Sequence, residues 1–231
     1  MDPKLSILMP VYNEASTVER AVEDVLGADL GLPFELIVVD DGSTDGSGSI
    51  LDRIARDRFT LIRHDRNRGK GAAVRTALER ARGEVSAIFD ADLEYDPHDL
   101  KALLPPLDDG LSNAVFGVRA FDGYTSHSFL YVMGNKGVTL AANVLFNVYL
   151  HDLMTCHKVI RTELFRSLPL QARGFDIEPE IAARLIQSGE RIYELPVQYK
   201  ARMTEEGKKL TAADGLRVLR ALVRCRLTPP R

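Results

Sequence analysis

Two aspartates, Asp90 and Asp92, stand where an apolar run, Val85-Ser86-Ala87-Ile88-Phe89, gives out. Carboxylates at i and i+2 on a strand that opens into a loop can both reach one divalent cation. Hard oxygen ligands suit Mg2+ or Mn2+, which bridge diphosphate oxygens and neutralise charge on a leaving group. Glu94 is a candidate third ligand. Aspartates also start turns unaided, so read in isolation the pair fits a turn as well as a metal site; a diphosphate site around it favours the metal. A second acidic pair, Asp40-Asp41, followed by Gly42-Ser43, ends another apolar run. One acid can cap the next turn, while the other accepts hydrogen bonds from a nucleobase N–H or a ribose hydroxyl. Asn67-Arg68-Gly69-Lys70-Gly71 opens a helix. There, backbone N–H groups and Lys70 hold a phosphate, or a glycine turn carries a solvated lysine. No G-x-G-x-x-G follows the first strand and no G-x-x-x-x-G-K-[ST] occurs, so neither dinucleotide nor P-loop recognition is supported.

These groups need a scaffold that brings them together. Strands are expected at Leu5–Val11, Phe34–Val39, Phe59–Arg63 and Val85–Phe89, alternating with helices at Glu14–Leu26, Ile50–Arg56 and Gly71–Arg82. Such alternation implies a parallel sheet covered on both faces, with ligand bound outside the carboxyl ends of its strands. Pro10 to Glu14, Asp40-Asp41 and Asp90 to Asp92 would then share one edge. The second half is less regular. Helices are expected at Asp99–Leu104, Phe129–Leu150 and Pro179–Ser188, strands at Ala114–Val118 and Arg191–Val197, and a strand or turn at Cys156–Arg161. A last helix, Ala212–Leu227, closes the chain.

Composition bounds the class. The chain has 231 residues, 45% hydrophobic and 27% charged, the profile of a soluble folded domain. Two cysteines form no disulfide framework, so a reducing interior compartment is expected. A net charge of -3 argues against a nucleic-acid binder. The N-terminus is not read as a signal peptide, and no apolar stretch reaches the length of a bilayer span. From Gln198 to Arg231, however, nine basic residues face three acidic ones, which points to an anionic partner at that end, a phosphate-bearing substrate or a lipid surface.

Leu8-Met9-Pro10-Val11-Tyr12-Asn13-Glu14, Val38-Val39-Asp40-Asp41-Gly42-Ser43, Asn67-Arg68-Gly69-Lys70-Gly71 and Asp90-Ala91-Asp92-Leu93 occur in the order seen in family 2 glycosyltransferases. Asp152 to Lys158, Gly174 to Glu180 and Arg202 to Lys209 are similar to the branch that makes dolichyl-phosphate mannose and bacterial polyprenyl-phosphate sugars. The resemblance runs from about Leu5 to Arg226. It implies the GT-A fold, a Rossmann-like, mostly parallel α/β sheet flanked by helices. It implies inverting transfer of a hexose from a UDP- or GDP-linked nucleotide-sugar donor to a polyprenyl phosphate, with Mg2+ or Mn2+ as cofactor. Pro10, Tyr12, Glu14, Val39 and Asp41 would cradle the nucleoside, in a donor site that also takes in Lys70 and Asp90. Asp90 and Asp92 would bind the metal, with Glu94 where relatives often carry Gln. Arg119 would face the phosphates, Arg202 and Lys208 would close over donor and acceptor, and Asp152 would lie near the reacting centre. Where relatives carry an arginine for the acceptor phosphate this chain has Tyr131, with Lys136 and Lys158 the nearest basic alternatives.

The remaining features divide. His127, His151 and His157 lack the spacing of a helical zinc site, and Cys156 reads as a small buried hydrophobe. Glu178 and Glu180 either touch substrate or open a helix at Pro179. Residues 1–211 are expected to form the catalytic domain and 212–231 a basic amphipathic helix and tail. That helix either packs on the body, or lays Leu216, Leu219, Leu222, Val223 and Leu227 on an anionic membrane surface beside Arg217, Arg220 and Arg224. The expected location is cytoplasmic, peripheral on the inner face of the membrane if the helix binds lipid. Two other functions compete: the same fold serving a soluble alcohol acceptor, for which Asp152 would have to be a general base, and a non-catalytic nucleotide-binding module that recruits a membrane partner.

Overall fold

The computed structural model describes residues 2–55, 58–119, 129–200 and 212–228. In the first half, β1 (Leu5–Val11), β2 (Phe34–Asp40), β3 (Thr60–Arg63) and β4 (Val85–Ile88) alternate with α1 (Val18–Gly27), α2 (Ser47–Ala55) and α3 (Lys70–Arg80). All four strands pair in parallel, in the order β3-β2-β1-β4. Val11 pairs with Asp40 and Asp40 with Arg63, so the carboxyl ends of these three strands finish level. That is the edge where the acidic and glycine-rich loops emerge.

The second half supplies α4 (Asp99–Leu103), α5 (Pro105–Asp108), β5 (Ala114–Arg119), α6 (Phe129–Phe146), β6 (Lys158–Arg161), α7 (Thr162–Ser167), α8 (Ile177–Gln187), β7 (Ile192–Val197) and α9 (Ala212–Leu227). The sheet continues as β4-β6-β5-β7, with β6 antiparallel to both neighbours. This reversal matters for the site. Because β6 starts at the end where β4 and β5 finish, the residues before it, Asp152 to His157, reach the same edge as Asp90 and Arg119.

Alternation along the strands divides the core. Leu5, Ile7, Met9 and Val11 pack with Val18, Val22 and Val25 of α1 and Leu51 of α2 on one face. Leu8, Ile37 and Val39 meet Ala73, Val74 and Ala77 of α3 on the other, in a cluster that runs on into α8 and α9. Each large apolar side chain so buried stabilises the fold by roughly 1.5–3 kcal/mol.

Several boundaries differ from those read in the sequence. α1 begins at Val18 because Glu14 to Thr17 form a turn, in which the N–H groups of Thr17 and Val18 both donate to the Glu14 carbonyl. Asn13, Glu14 and Ala15 donate their N–H groups to Ser43, Ser47 and Asp45, pinning the loop after β1 to the loop after β2. α6 ends at Phe146, and Asn147 then adopts φ 52°. The chain turns back there, and the Asn143 amide bonds both backbone groups of Leu150. α5 and α7 are too short to leave a periodic signal.

α9 packs on α6 and α8. Val218, Ala221, Leu222 and Cys225 are buried, while Leu216, Leu219, Val223 and Leu227 stay 38–75% exposed. Arg184 of α8 reaches the Thr228 carbonyl, and Gln187 donates to that of Cys225 at 2.6 Å. The packed arrangement read from the sequence is seen on one face of the helix, and its other face leaves an apolar stripe exposed, with Leu222 on the packed side. Among the described residues no helix is long and apolar enough to cross a membrane.

Candidate active site

A cavity of about 960 Å³ opens at the carboxyl edge of the sheet. Pro10, Tyr12, Glu14, Asp41, Lys70, Asp90, Asp92, Glu94 and Arg119 all line it, so most of the residues singled out in the sequence meet in one place. Val39 does not: its side chain is fully buried in the core beneath α3. Asp152 does not line it either. Arg202 and Lys208 lie outside the described residues, as does His127.

The end formed by β1 and β2 is built on the acidic pair. Asp40 accepts the Ser43 N–H at 3.0 Å and so caps the turn. Asp41, 2% exposed, lies 2.6 Å from His64 Nδ1 and accepts the N–H groups of Arg68 at 2.9 Å and Gly69 at 2.7 Å. Those bonds bind the loop before α3 to the end of β2. The N–H groups of Gly71 and Ala72 donate to the Arg173 carbonyl at 2.8 and 3.4 Å. The start of α3 therefore gives these two N–H groups to the protein, as the glycine-turn reading of this segment has it. Gly69, at φ 93°, and Gly71 are required: a Cβ would stand 2.2 Å from the Arg173 carbonyl oxygen at one and 2.4 Å from that of Ala172 at the other.

In the middle of the cavity the charges are coupled. Lys70 Nζ lies 2.6 Å from Asp90 and 2.5 Å from Glu178, at the start of α8. Burial disfavours the ammonium, but the two carboxylates outweigh it and hold Lys70 protonated, above its ordinary value. Glu178 is pushed upward by burial, with Lys70 opposing. Lys70 is thus a buried bridge between carboxylates, not a solvated lysine. Sequence reasoning left Glu178 open between substrate and helix start; it lines the cavity.

Asp90 and Asp92 leave β4 on a turn in which Leu93 takes φ 62°, and both face the cavity. As a pair of hard oxygen donors beside a space large enough for a diphosphate, they fit Mg2+ or Mn2+. Glu94 lines the cavity with them. Its carboxylate also accepts the Tyr199 hydroxyl at 2.9 Å and its carbonyl accepts the Lys200 N–H at 2.8 Å, tying it to the segment after β7. Among the described residues no three His, Cys, Asp or Glu converge into a metal cluster.

Arg119 and Asp152 form a buried pair behind this centre, 5% and 1% exposed. Arg119 donates to Asp152 through Nε at 2.7 Å, Nη2 at 2.8 Å and its backbone N–H at 3.2 Å, and Asn135 adds a fourth bond at 3.1 Å. Burial works against ionisation of Asp152, but Arg119 overcomes it and the carboxyl sits below its usual range. So held, Asp152 is kept ionised and off the cavity lining. Asp152 thus holds Arg119 from behind the cavity lining.

Other polar residues here are structural. His157 stacks on Tyr95 at 4.3 Å, and burial drops it to about 4. Lys158 is fully buried, donates to the carbonyls of Leu153 and Thr155, and is lowered by burial to about 8. Burial raises the Cys156 thiol well above its ordinary value, which suits a buried hydrophobe and no nucleophile. Sequence reasoning missed residues 171–173 of the wall that continues into Gly174 to Asp176, and it read Arg217 and Arg224 of α9 as a basic stripe and not as the cavity lining they form. Their spacing of seven residues, two helical turns, was the available signal.

Residues 6–168 match the family described as Glycosyl transferase family 2. The chain is 30% identical to glycosyltransferase AglD of Haloferax volcanii over 85% of its own length and 33% of the relative's. It is 30% identical to a dodecaprenyl-phosphate galacturonate synthase of Rhizobium johnstonii, over 86% and 60%. A polyprenol monophosphomannose synthase of Mycolicibacterium smegmatis is 27% identical over 85% of this chain and 77% of that one. The chain thus spans a third to three quarters of these relatives. In fold it is similar to glucosyl-3-phosphoglycerate synthase of Mycobacterium tuberculosis, with a TM-score of 0.76 and 21% identity over 99% of this chain and 81% of that one. A second structure of that enzyme, with Mn2+, uridine diphosphate and glucosyl-3-phosphoglycerate, gives a TM-score of 0.75 at 20% identity over 99% and 81%.

Proposed function

The chain belongs to glycosyl transferase family 2, and on that footing we propose that it transfers a hexose from a UDP- or GDP-linked sugar to a polyprenyl phosphate, inverting the anomeric carbon. The observation that carries the choice of acceptor is the state of Asp152. An alcohol acceptor needs a base, and the acid that would have to serve is locked by four donors behind Arg119. A phosphate monoester is already anionic near neutral pH and chiefly needs positioning. The names of the Rhizobium and Mycolicibacterium relatives, which describe polyprenyl-linked sugar products, support the same reading.

In this mechanism Tyr12, Glu14 and Asp41 receive the nucleoside at the β1–β2 end. Asp90 and Asp92 would hold Mg2+ or Mn2+, which supplies charge neutralisation for the departing diphosphate. Arg119, oriented by Asp152, faces the phosphates, and Lys70 keeps Asp90 in place. The acceptor oxygen attacks from the opposite side of the sugar. Arg202 and Lys208 contribute by closing over both substrates. We place the enzyme peripherally on an anionic membrane, on its cytoplasmic side, with α9 docked on the 1–211 domain and the exposed stripe of Leu216, Leu219, Val223 and Leu227 towards the lipid.

Transfer of labelled sugar from UDP- or GDP-hexoses, with Mn2+ and a polyprenyl phosphate, tests this by extraction into organic solvent. The label should move to the organic phase, and Asp92→Asn should lower that transfer by roughly 100-fold or more, with an unchanged melting temperature. Label that passes only to a soluble alcohol overturns the acceptor, and undiminished turnover in Asp92→Asn overturns the metal pair. Absence of any turnover would make the chain a binding module.

A further inference from the structure

We propose that Arg217 and Arg224 of α9 form the subsite for the acceptor's phosphate, and that the groove beside them takes its first isoprene units; this rests on the transfer reading above. Two turns apart, both arginines stand on one face of α9 and line the cavity. The residues that hold the nucleoside come from β1 and β2, whereas α9 is carried by α6 and α8, so the arginines form a separate bank of the same cavity.

Four other cations, Lys70, Arg119, Lys136 and Lys158, are placed less well for this phosphate. Lys158 is buried under Phe116, with its ammonium given to backbone carbonyls. Lys70 bridges Asp90 and Glu178, and Arg119 is clasped by Asp152. Lys136 is on the exposed side of α6, away from the cavity lining.

Arg224 is aimed by a fully buried carboxylate. Glu180 Oε2 accepts the N–H groups of Gln171 at 2.8 Å and Ala172 at 2.6 Å, and Oε1 takes Arg224 Nη2 at 3.2 Å. One side chain therefore fixes both the cavity wall and the guanidinium, whose planar fork matches phosphate oxygens. Arg224 also lines a second, apolar groove with Leu219, Val223 and Leu227. At Arg224 a charged cavity meets an apolar groove, which is the shape of a phosphate with a prenyl tail.

The test is binding of farnesyl phosphate, farnesol and inorganic phosphate to the full chain by calorimetry, with UDP or GDP and Mn2+ present. Wild type should prefer farnesyl phosphate to farnesol. Arg217→Ala and Arg224→Ala should each raise the Kd for farnesyl phosphate by about 10- to 100-fold, with Arg224→Lys in between. Nucleotide affinity should hold in all of them and melting temperature in Arg224→Lys, while Arg224→Ala lowers the melting temperature because the buried Glu180 loses its partner. Equal farnesyl phosphate affinity in wild type and the double variant overturns the subsite and leaves the acceptor class standing. Failure of wild type to bind farnesyl phosphate above farnesol overturns both. Parallel loss of nucleotide affinity in any variant, or of melting temperature in Arg224→Lys, makes the arginines structural and overturns the subsite alone.

Discussion

Asp152 shows how far a residue's role depends on what surrounds it. Its type and motif marked it as chemistry-bearing, but nothing local in the sequence announces that residues 119 and 135 deliver four hydrogen bonds to it. Removing one partner of a buried ion pair leaves the other charge unmatched, so Asp152→Ala should destabilise the fold by about 3–5 kcal/mol, read by urea denaturation at pH 7. The pH dependence follows from the lowered carboxyl. A folded-state value below the unfolded one of about 3.9 contributes stability that is present above pH 3.9 and lost as pH falls through the folded value. The gap between wild type and variant should therefore narrow on acidification below pH 4. A constant gap would assign the loss to packing and not to charge. The acidic pairs were more legible, because Asp40, Asp41, Asp90 and Asp92 act within a few residues of the strand ends that position them. Val39 was not, since the packing of α3 decides where it points.

At the scale of elements, the parallel half of the fold was readable from period and spacing, because each strand-helix unit is local. The direction of β6 was not, since a four-residue strand carries no mark of the neighbours it joins. α9 was read as amphipathic, which is half of its character. Its buried stripe, Val218, Ala221, Leu222 and Cys225, and its exposed stripe, Leu216, Leu219, Val223 and Leu227, interleave, and a single sequence does not say which stripe faces inward. Substitutions separate them. Leu222→Ala should cost about 2–5 kcal/mol as a core cavity. Leu219→Glu with Val223→Glu should leave the melting temperature unchanged and abolish co-sedimentation with anionic liposomes. Added salt should weaken that attachment, because each arginine near the surface contributes only about 1 kcal/mol. Equal partitioning of wild type and the double variant would remove α9 from the membrane.

Across the whole molecule, the site is assembled from both halves of the sheet and closed by the last helix. The residue 171–176 wall lies against Gly69 and Gly71, and Glu180 ties that wall to Arg224. A nucleotide seated in this cavity stabilises every part that lines it. At 100 times its Kd, UDP or GDP with Mn2+ should add about 2.7 kcal/mol, a rise of about 5–10 °C in melting temperature. No rise with either nucleotide would overturn the donor assignment. The arrangement of α9 also sets how the chain can change length. One inserted residue between Arg217 and Arg224 would swing everything beyond it by about 100°. It would move Arg224 off the cavity, turn Cys225 out of the core and carry Val223 inward together. Only steps of about seven residues, two full turns, keep the three faces in register. Insertions and deletions in this helix should therefore be far less tolerated than substitutions, a constraint of register and not of residue type.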